Sequence, residues 1–162
     1  MQSIYDDLVD AARDACQRHY GPRLVSVAVF GSVGRGTPGP DSDIDLLVVV
    51  EQLPRGRLAR SDDFTVVERM VEPHLTRAQS LGLHPTLSAI FKTPEEVGAG
   101  SPLFLDMLDD ARILYDRDGF LQRAFQEFSA RLARLGAKRI WRGQSWYWDL
   151  KPDYKPGEVF DI

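Results

Sequence analysis

Two short apolar runs constrain the fold of this chain more tightly than any other feature. The first covers residues 24–30 (Leu-Val-Ser-Val-Ala-Val-Phe) and the second covers residues 44–50 (Ile-Asp-Leu-Leu-Val-Val-Val). Runs of this length, rich in β-branched residues, are typical of strands that are buried in a sheet. The stretch between them, residues 31–42, is rich in Gly, Pro and Ser and predicts a turn or loop.

Helical periodicity surrounds these strands. Apolar residues at three- and four-residue steps predict helices over residues 2–19, over the central part of 57–81 and over 120–135. Thr93 followed by Pro-Glu-Glu predicts a helix start with a capping box, and residues 103–107 predict a short helix. Residues 84–91 and 112–115 predict two more strands. The fold class that follows is α+β, with a short mixed β-sheet and helices packed on it.

Composition limits the chemistry. The 162 residues are 43% hydrophobic and 27% charged, which is ordinary for a globular protein, and no linker divides them, so we expect one domain over residues 1–162. The net charge of -4 gives no general indication of nucleic-acid binding. Cys16 is the only cysteine, which excludes an internal disulfide and a cysteine-rich zinc site. No apolar run approaches the ~20 residues that span a membrane, and we expect a cytoplasmic protein.

Asp43 and Asp45 open the second strand with one residue between them. Alternate residues of a strand lie on one face, so the two carboxylates project side by side and Ile44 points into the core. Adjacent carboxylates repel each other unless a cation neutralises them. Mg²⁺ typically takes one or two protein carboxylates together with substrate phosphates, so this pair is the candidate metal site.

The turn after the first strand supplies a candidate phosphate site. Gly31 allows close approach of the backbone to a phosphate, and N–H groups at such a turn form an anion-binding nest. Ser32 offers a further donor. Arg35 is either a bidentate phosphate contact or an ordinary surface charge.

These residues resemble the signature of a known group. Val-Phe-Gly-Ser-Val-Gly-Arg-Gly from residue 29, followed by Ser-Asp-Ile-Asp-Leu-Leu-Val from residue 42, is similar to the signature of the polymerase-beta-like nucleotidyltransferases, and its spacing resembles that of the minimal nucleotidyltransferases. The fold that the resemblance implies is the polymerase-beta palm-like core. The residues that carry it cover about a sixth of the chain, from 25 to 50.

The resemblance implies an enzyme and its ligands. A nucleoside triphosphate, ATP by family inference, binds with Mg²⁺ or Mn²⁺, and an acceptor attacks the α-phosphorus so that pyrophosphate leaves. Asp43 and Asp45 hold the metals as the catalytic pair, and Gly31 and Ser32 hold the β- and γ-phosphates. The acceptor is a protein or a small molecule. A small helical partner protein, in a toxin–antitoxin pair, is one form that the resemblance suggests.

One element of the family pattern is missing. Members commonly carry a third carboxylate on the next strand, and residues 84–91 contain none. Their alternation places His84, Thr86 and Ser88 on one face, which we interpret as a polar wall of the site. Three alternatives remain: another group acts as base, the acceptor needs little activation, or the chain is a catalytically degenerate nucleotide-binding or partner-binding module.

The end of the chain, from about residue 141 to 162, is an extension rich in aromatic residues with two Lys-Pro pairs. It resembles the tails of uncharacterised relatives from archaea and bacteria. Its aromatic side chains either stack on a nucleobase or, as we favour, fill a core edge or a subunit interface. A basic run over residues 131–142 is typical of a solvated helix face, and contact with a triphosphate or a polynucleotide acceptor is the alternative.

Overall fold

The computed structural model describes residues 1–162. It contains six α-helices and six strands. The helices are α1 (Gln2–Tyr20), α2 (Gly31–Gly34), α3 (Arg57–Ser80), α4 (Pro94–Gly98), α5 (Phe104–Asp110) and α6 (Phe120–Leu135). The strands are β1 (Leu24–Phe30), β2 (Ile44–Val50), β3 (Leu87–Lys92), β4 (Arg112–Asp116), β5 (Lys138–Arg142) and β6 (Ser145–Asp149).

The first four strands form a mixed sheet in the order β3-β2-β1-β4. β1 pairs antiparallel with β2 and with β4, whereas β2 and β3 run parallel and are connected through α3. The predicted α+β class with a short mixed sheet is therefore confirmed. β5 and β6 form a separate antiparallel hairpin.

Two hydrophobic clusters cover the two faces of the sheet. One contains α1 and α3 with the β2 residues Ile44, Leu46 and Val48. The other contains α4, α5 and α6 with Leu47 and Val49. β1 and β2 contribute alternate residues to both clusters because both of their faces are buried, which explains the nearly continuous apolar runs in the sequence. Asp45 lies on the same face as Leu47, toward α5.

The predicted bounds agree with the observed ones where burial is strongest. β1, β2 and α6 have the predicted limits. The predicted capping box is confirmed: the Thr93 hydroxyl accepts from the N–H of Glu96, and the Glu96 carboxylate accepts from the N–H of Thr93. The prediction of an irregular turn over all of residues 31–42 is wrong at its start, because Gly31–Gly34 forms the single helical turn α2. No helix has the length and apolar character that crossing a membrane requires.

Candidate active site

The two aspartates of the predicted metal site lie at the beginning of β2. Asp43 directly precedes the strand and is exposed, and Asp45 is its second residue and is partly buried. Ile44 between them is fully buried on the opposite face, among side chains of α1 and α3. The strand alternation that places Ile44 in the core therefore orients both carboxylates to the other side.

Hydroxyl groups, and no cations, contact this pair directly. The Thr86 hydroxyl donates to Oδ1 of Asp43 at 2.5 Å, and Ser88 on β3 lies in register beside Asp45. Neither aspartate takes part in an ion pair. Burial raises the pKa of the Asp45 carboxyl above its usual range, and the charge of Asp43 raises it further, whereas the Ser88 hydroxyl and Arg35 lower it.

The donor set fits a hard divalent cation. The side chains that interact directly with the pair offer hydroxyl oxygens, and no group of three or more His, Cys, Asp or Glu residues that could hold a metal ion is found in the chain. The protein would thus contribute two carboxylates to an ion whose other ligands are water and phosphate oxygens, which is the usual arrangement for Mg²⁺. The raised pKa of Asp45, to which the adjacent Asp43 charge contributes, shows the repulsion that such a cation relieves.

Gly31 leaves room for the Asp45 carboxylate. A Cβ at this position would lie 2.5 Å from Oδ2 of Asp45, and the backbone has φ of +67°, which a glycine adopts without strain. Gly34 is equally restricted, since a Cβ there would lie 2.5 Å from the carbonyl oxygen of Asp110 and 2.8 Å from that of Val29. The α2 turn is thus pressed between the end of β1, the end of α5 and the carboxylate pair.

The segment from Ser32 to Ser42 is closed by hydrogen bonds of its own. The Ser32 hydroxyl donates to Oγ of Ser42 at 3.0 Å, and the N–H of Gly39 donates to the same Ser42 oxygen at 2.8 Å. Tyr5, which is buried in α1, directs its hydroxyl to the carbonyl oxygens of Gly39 at 2.8 Å and Ser42 at 3.2 Å. This network holds the predicted phosphate turn against the start of β2.

Arg35 has a partner that the sequence does not predict. Its Nη1 donates to Oδ2 of Asp110 at 2.5 Å, and the Asp110 side chain is only 6% exposed. The guanidinium group also lies 6.0 Å from the centre of the Trp146 ring. Arg35 is therefore neither a free surface charge nor an unpaired phosphate donor, because part of its hydrogen-bonding capacity is used by a buried carboxylate.

The hairpin of β5 and β6 is anchored to α5 next to this ion pair. The Trp146 indole N–H donates to Asp106 at 3.0 Å, and Arg139 pairs with Asp109 at 3.0 Å. The Arg139 guanidinium lies over the rings of Trp146 and Trp141, at 4.2 and 5.0 Å from their centres. A hairpin was not predicted here, although aromatic residues on both sides of a Gly-Gln pair are a strand–turn–strand signal.

Comparison with known proteins places this chain in a family. Residues 9–102, more than half of the chain, match the family model described as "Nucleotidyltransferase domain". A protein of Methanocaldococcus jannaschii with the name "Putative protein adenylyltransferase" is 29% identical over 136 residues, which are 83% of this chain and 87% of the relative.

Solved structures with a lower similarity are also found. A chain from the crystal structure of a toxin–antitoxin with AMP-PNP has 17% identity and a TM-score of 0.46, covering 78% of this chain and 92% of its own length. A chain from the structure of the tri-AMPylated HEPN toxin of Shewanella oneidensis in complex with MNT antitoxin has 16% identity and a TM-score of 0.41. The match covers 84% of this chain and 93% of the other.

The family match contains all the residues of the predicted site, from Gly31 to Asp45, together with β3, and it ends before α5 and the hairpin. Asp110 and Trp146, which contact Arg35, lie outside it. The chain belongs to the nucleotidyltransferase domain family and is a polymerase-beta-like nucleotidyltransferase.

Proposed function

We propose that this nucleotidyltransferase transfers AMP from ATP to a hydroxyl group of a protein, in a reaction that depends on Mg²⁺ bound at Asp43 and Asp45. The observation that carries the proposal is the carboxylate pair itself, which has hydroxyl neighbours, a raised Asp45 pKa and no cationic partner. The choice of AMP and of a protein acceptor is supported by the name of the Methanocaldococcus jannaschii relative.

Each group of the site has a role in this proposal. The acceptor oxygen attacks the α-phosphorus of ATP, the bond to the bridging oxygen of pyrophosphate breaks, and the acceptor proton passes to solvent. Asp43 and Asp45 would hold Mg²⁺, which when bound would supply charge stabilisation to the attacking and leaving oxygens. The hydrogen bond from Thr86 would orient Asp43, and the Ser88 hydroxyl, which lowers the Asp45 pKa, would orient Asp45.

The β- and γ-phosphates would lie along the turn of Gly31 and Ser32. The Ser32 side chain is held by Ser42, and the Ser42 carbonyl accepts from Tyr5, so the segment that follows the turn is fixed against the start of β2. The N–H groups of the turn would provide the anion-binding nest. Arg35 would contribute to the phosphates only through the part of its guanidinium that Asp110 leaves free. The Ser32 hydroxyl would exchange Ser42 for a phosphate oxygen.

The proposal extends to the acceptor. We propose that it is a small helical partner protein, and that this enzyme acts as the antitoxin by modifying it. This part depends on the resemblance to the minimal nucleotidyltransferases alone. Expression of the enzyme together with the product of a neighbouring gene, followed by mass spectrometry of that product, tests it. An added mass of one AMP supports it, and an unmodified partner in the presence of active enzyme contradicts it.

Labelling with α-³²P nucleoside triphosphates tests the activity. The purified protein, cell extract and Mg²⁺ are combined with each nucleotide, and Asp43→Asn is compared with Asp41→Asn, which removes an equal charge from an exposed position two residues away. Protein labelled from ATP by the wild type and by Asp41→Asn, but not by Asp43→Asn, supports the proposal. Calorimetric binding of ATP without labelling from any nucleotide would instead support the degenerate binding module, which the absence of a carboxylate on β3 favours.

A further inference from the structure

The outer edge of β3 has no partner strand. β3 is the last strand of the sheet, and it pairs only with β2. The N–H of Ile44 donates to the carbonyl oxygen of Thr86, so in this parallel ladder Ser88 and Ile90 direct their backbone groups toward β2. The backbone groups of the residues between them therefore face outward.

Arg60 bonds to one of these outward groups. Its Nη1 donates to the carbonyl oxygen of Phe91 at 3.2 Å. No loop or side-chain hydrogen bond reaches the outward N–H and C=O groups of Leu87 and Ala89. The free part of the edge thus begins beside Thr86, at the carboxylate pair, and ends at the guanidinium of Arg60.

A groove follows this free edge. One end is lined by Asp43, Thr86 and Ser88, and its outer wall is the face of α3 that carries Ser61 and Glu68. A second groove, lined by residues that include Gly56, Arg60 and Lys92, adjoins it through shared contacts with Arg57, Ala89 and Phe91. The two form one channel along β3, which we name the β3 groove, and its end at Asp43 opens onto the proposed catalytic site.

The opposite edge of the sheet is different. β4 shifts its register against β1 between Val27 and Ala28, and it begins and ends with charged residues, Arg112 and Asp116. Such irregularity and charge prevent another strand from pairing with an edge. β3, by contrast, keeps an unbroken register with β2 from Leu87 to Lys92. Of the two edges, only that of β3 is regular and next to the carboxylates.

We infer that the acceptor is an extended polypeptide segment that pairs with the free edge of β3 as a fifth strand. The alternating N–H and C=O groups of Leu87 and Ala89 match the backbone of a peptide and no other class of acceptor. Alternate side chains of the added strand lie on the same face as Ser88 and Asp45, so a hydroxyl-bearing residue there is directed toward the transferred phosphorus. The inference depends on the proposed function for the reaction, but the docking geometry is independent of it.

The length of the free edge defines the contact. Two residues with both groups free, Leu87 and Ala89, and the N–H of Phe91 are available before Arg60 closes the edge. A segment that pairs with these groups is short and dissociates readily, as a product must. The sequence around the modified hydroxyl is then recognised mainly through its extended backbone, with the α3 wall restricting the size of its side chains.

Amide exchange with a probe peptide tests the inference. The probe is acetyl-(Val-Thr)₃-amide at millimolar concentration, and exchange of the Leu87 and Ala89 amides of the full-length protein is followed in ¹H–¹⁵N spectra. Pairing should slow both exchange rates on the order of tenfold, since these amides have no hydrogen-bond partner in the protein. Unchanged rates at both residues, or protection confined to other parts of the chain, would overturn the inference.

Two variants block the edge by different means. Ala89→Pro removes an N–H that faces away from β2, so the ladder keeps its hydrogen bonds, and proline is tolerated at such edge positions. Ser61→Arg fills the groove from an exposed position on α3 without changing β3, and Ser80→Arg is its control at the far end of the same helix. We expect protection of Leu87 by the probe to disappear in the first two variants and to persist in the control. Protection that persists in Ser61→Arg would contradict the inference even if Ala89→Pro fails to fold.

A parallel incubation with α-³²P ATP and Mg²⁺ separates this inference from the proposed function. Protection of the edge without AMP transfer to the probe, or to protein in cell extract, retains the docking site and overturns the activity. Transfer to protein without any protection of Leu87 and Ala89 by the probe retains the activity and overturns the docking site.

Discussion

The carboxylates at the start of β2 and those of α5 lie on the same side of the sheet, but the side chains that contact them differ. On α5, Asp106 accepts from Trp146, Asp109 pairs with Arg139 and Asp110 pairs with Arg35. Asp43 and Asp45 have hydroxyl neighbours and no ion pair. Asp109 and Asp110 are thus compensated by cations of the protein, and the contacts of α5 join the hairpin to the phosphate turn. The β2 pair is left uncompensated, which is the state that prepares a site for an external cation.

The largest effect is expected when one charge of the β2 pair, Asp43 or Asp45, is removed. Asp43→Asn and Asp45→Asn should each lower AMP transfer by about 10³-fold, because a bound metal contributes several kcal/mol to the transition state. The metal-free fold should be equally stable or more stable in both variants, since a repulsion is removed. Transfer rates and thermal unfolding with and without Mg²⁺ measure the two effects. A stabilising effect of Mg²⁺ that is unchanged in both variants would contradict the assignment of the metal site.

Removing one partner of the ion pair between Arg35 and the buried Asp110 should instead lower the free energy of unfolding. Arg35→Met leaves the Asp110 carboxylate buried without a cation, and the expected cost is about 3 kcal/mol of unfolding free energy. Asp110→Asn should cost less, about 1 kcal/mol, since Arg35 is 38% exposed and can be hydrated. Denaturant unfolding measures both.

The double variant Arg35→Met/Asp110→Leu sharpens this test. It replaces the ion pair by apolar side chains and should recover most of the stability lost in Arg35→Met. If Arg35→Met is as stable as the wild type, Asp110 is not compensated by this pair, and the contrast between α5 and β2 fails.

This contrast also shows what the sequence could reveal. β1 and β2 were predictable to the residue because both faces of each strand are buried. The closeness of Gly31 to Asp45 was predictable because the two residues lie at the facing ends of these neighbouring strands. The pair of Arg35 and Asp110 was not predictable, since 75 residues separate them and nothing local marks Asp110 as buried.

Tertiary contacts explain the remaining differences. The predicted strand over residues 84–91 begins at Leu87, because Pro85 lacks an N–H and the N–H of His84 bonds to Pro40 instead of to the ladder. The short helix predicted at 103–107 is observed as Phe104–Asp110, and its last turn bears the carboxylates that Arg139 and Arg35 hold. The spacing of apolar residues along the sequence does not indicate such long-range contacts.

Gly31 links the uncompensated pair to the phosphate turn. Gly31→Ala should cost about 1 to 2 kcal/mol of stability for a left-handed conformation at φ of +67°. Its Cβ would also displace the Asp45 carboxylate, so AMP transfer should fall more than stability alone explains. Gly36→Ala is the matched control, with φ of +75° and open space around its Cβ. Equal transfer rates for the two variants, measured at saturating ATP, would show that the close approach of Gly31 to Asp45 has no role.

The smallest expected effect comes from Glu96, another carboxylate that is compensated by a cation. Hydrogen bonds from the Arg60 guanidinium, opposed by burial and aided by the N–H of Thr93, lower the pKa of Glu96 from 4.5 to about 2. Because the folded-state pKa is the lower one, the pair stabilises the fold above about pH 4.5, and this stabilisation is lost as the pH falls toward 2. The Glu96 side chain is 39% exposed, so solvent screening reduces the contribution to about 1 kcal/mol.

Glu96→Gln should therefore lower the unfolding free energy by about 1 kcal/mol at pH 7 and make little difference at pH 2. Urea unfolding at both pH values measures the difference. An equal loss at both pH values would show that Glu96 acts through packing and its capping role. In that case only the buried Asp110 of α5 would differ from the β2 pair through compensation by a cation. The exposed fraction of a carboxylate would then determine how much its ion pair contributes to the free energy of unfolding.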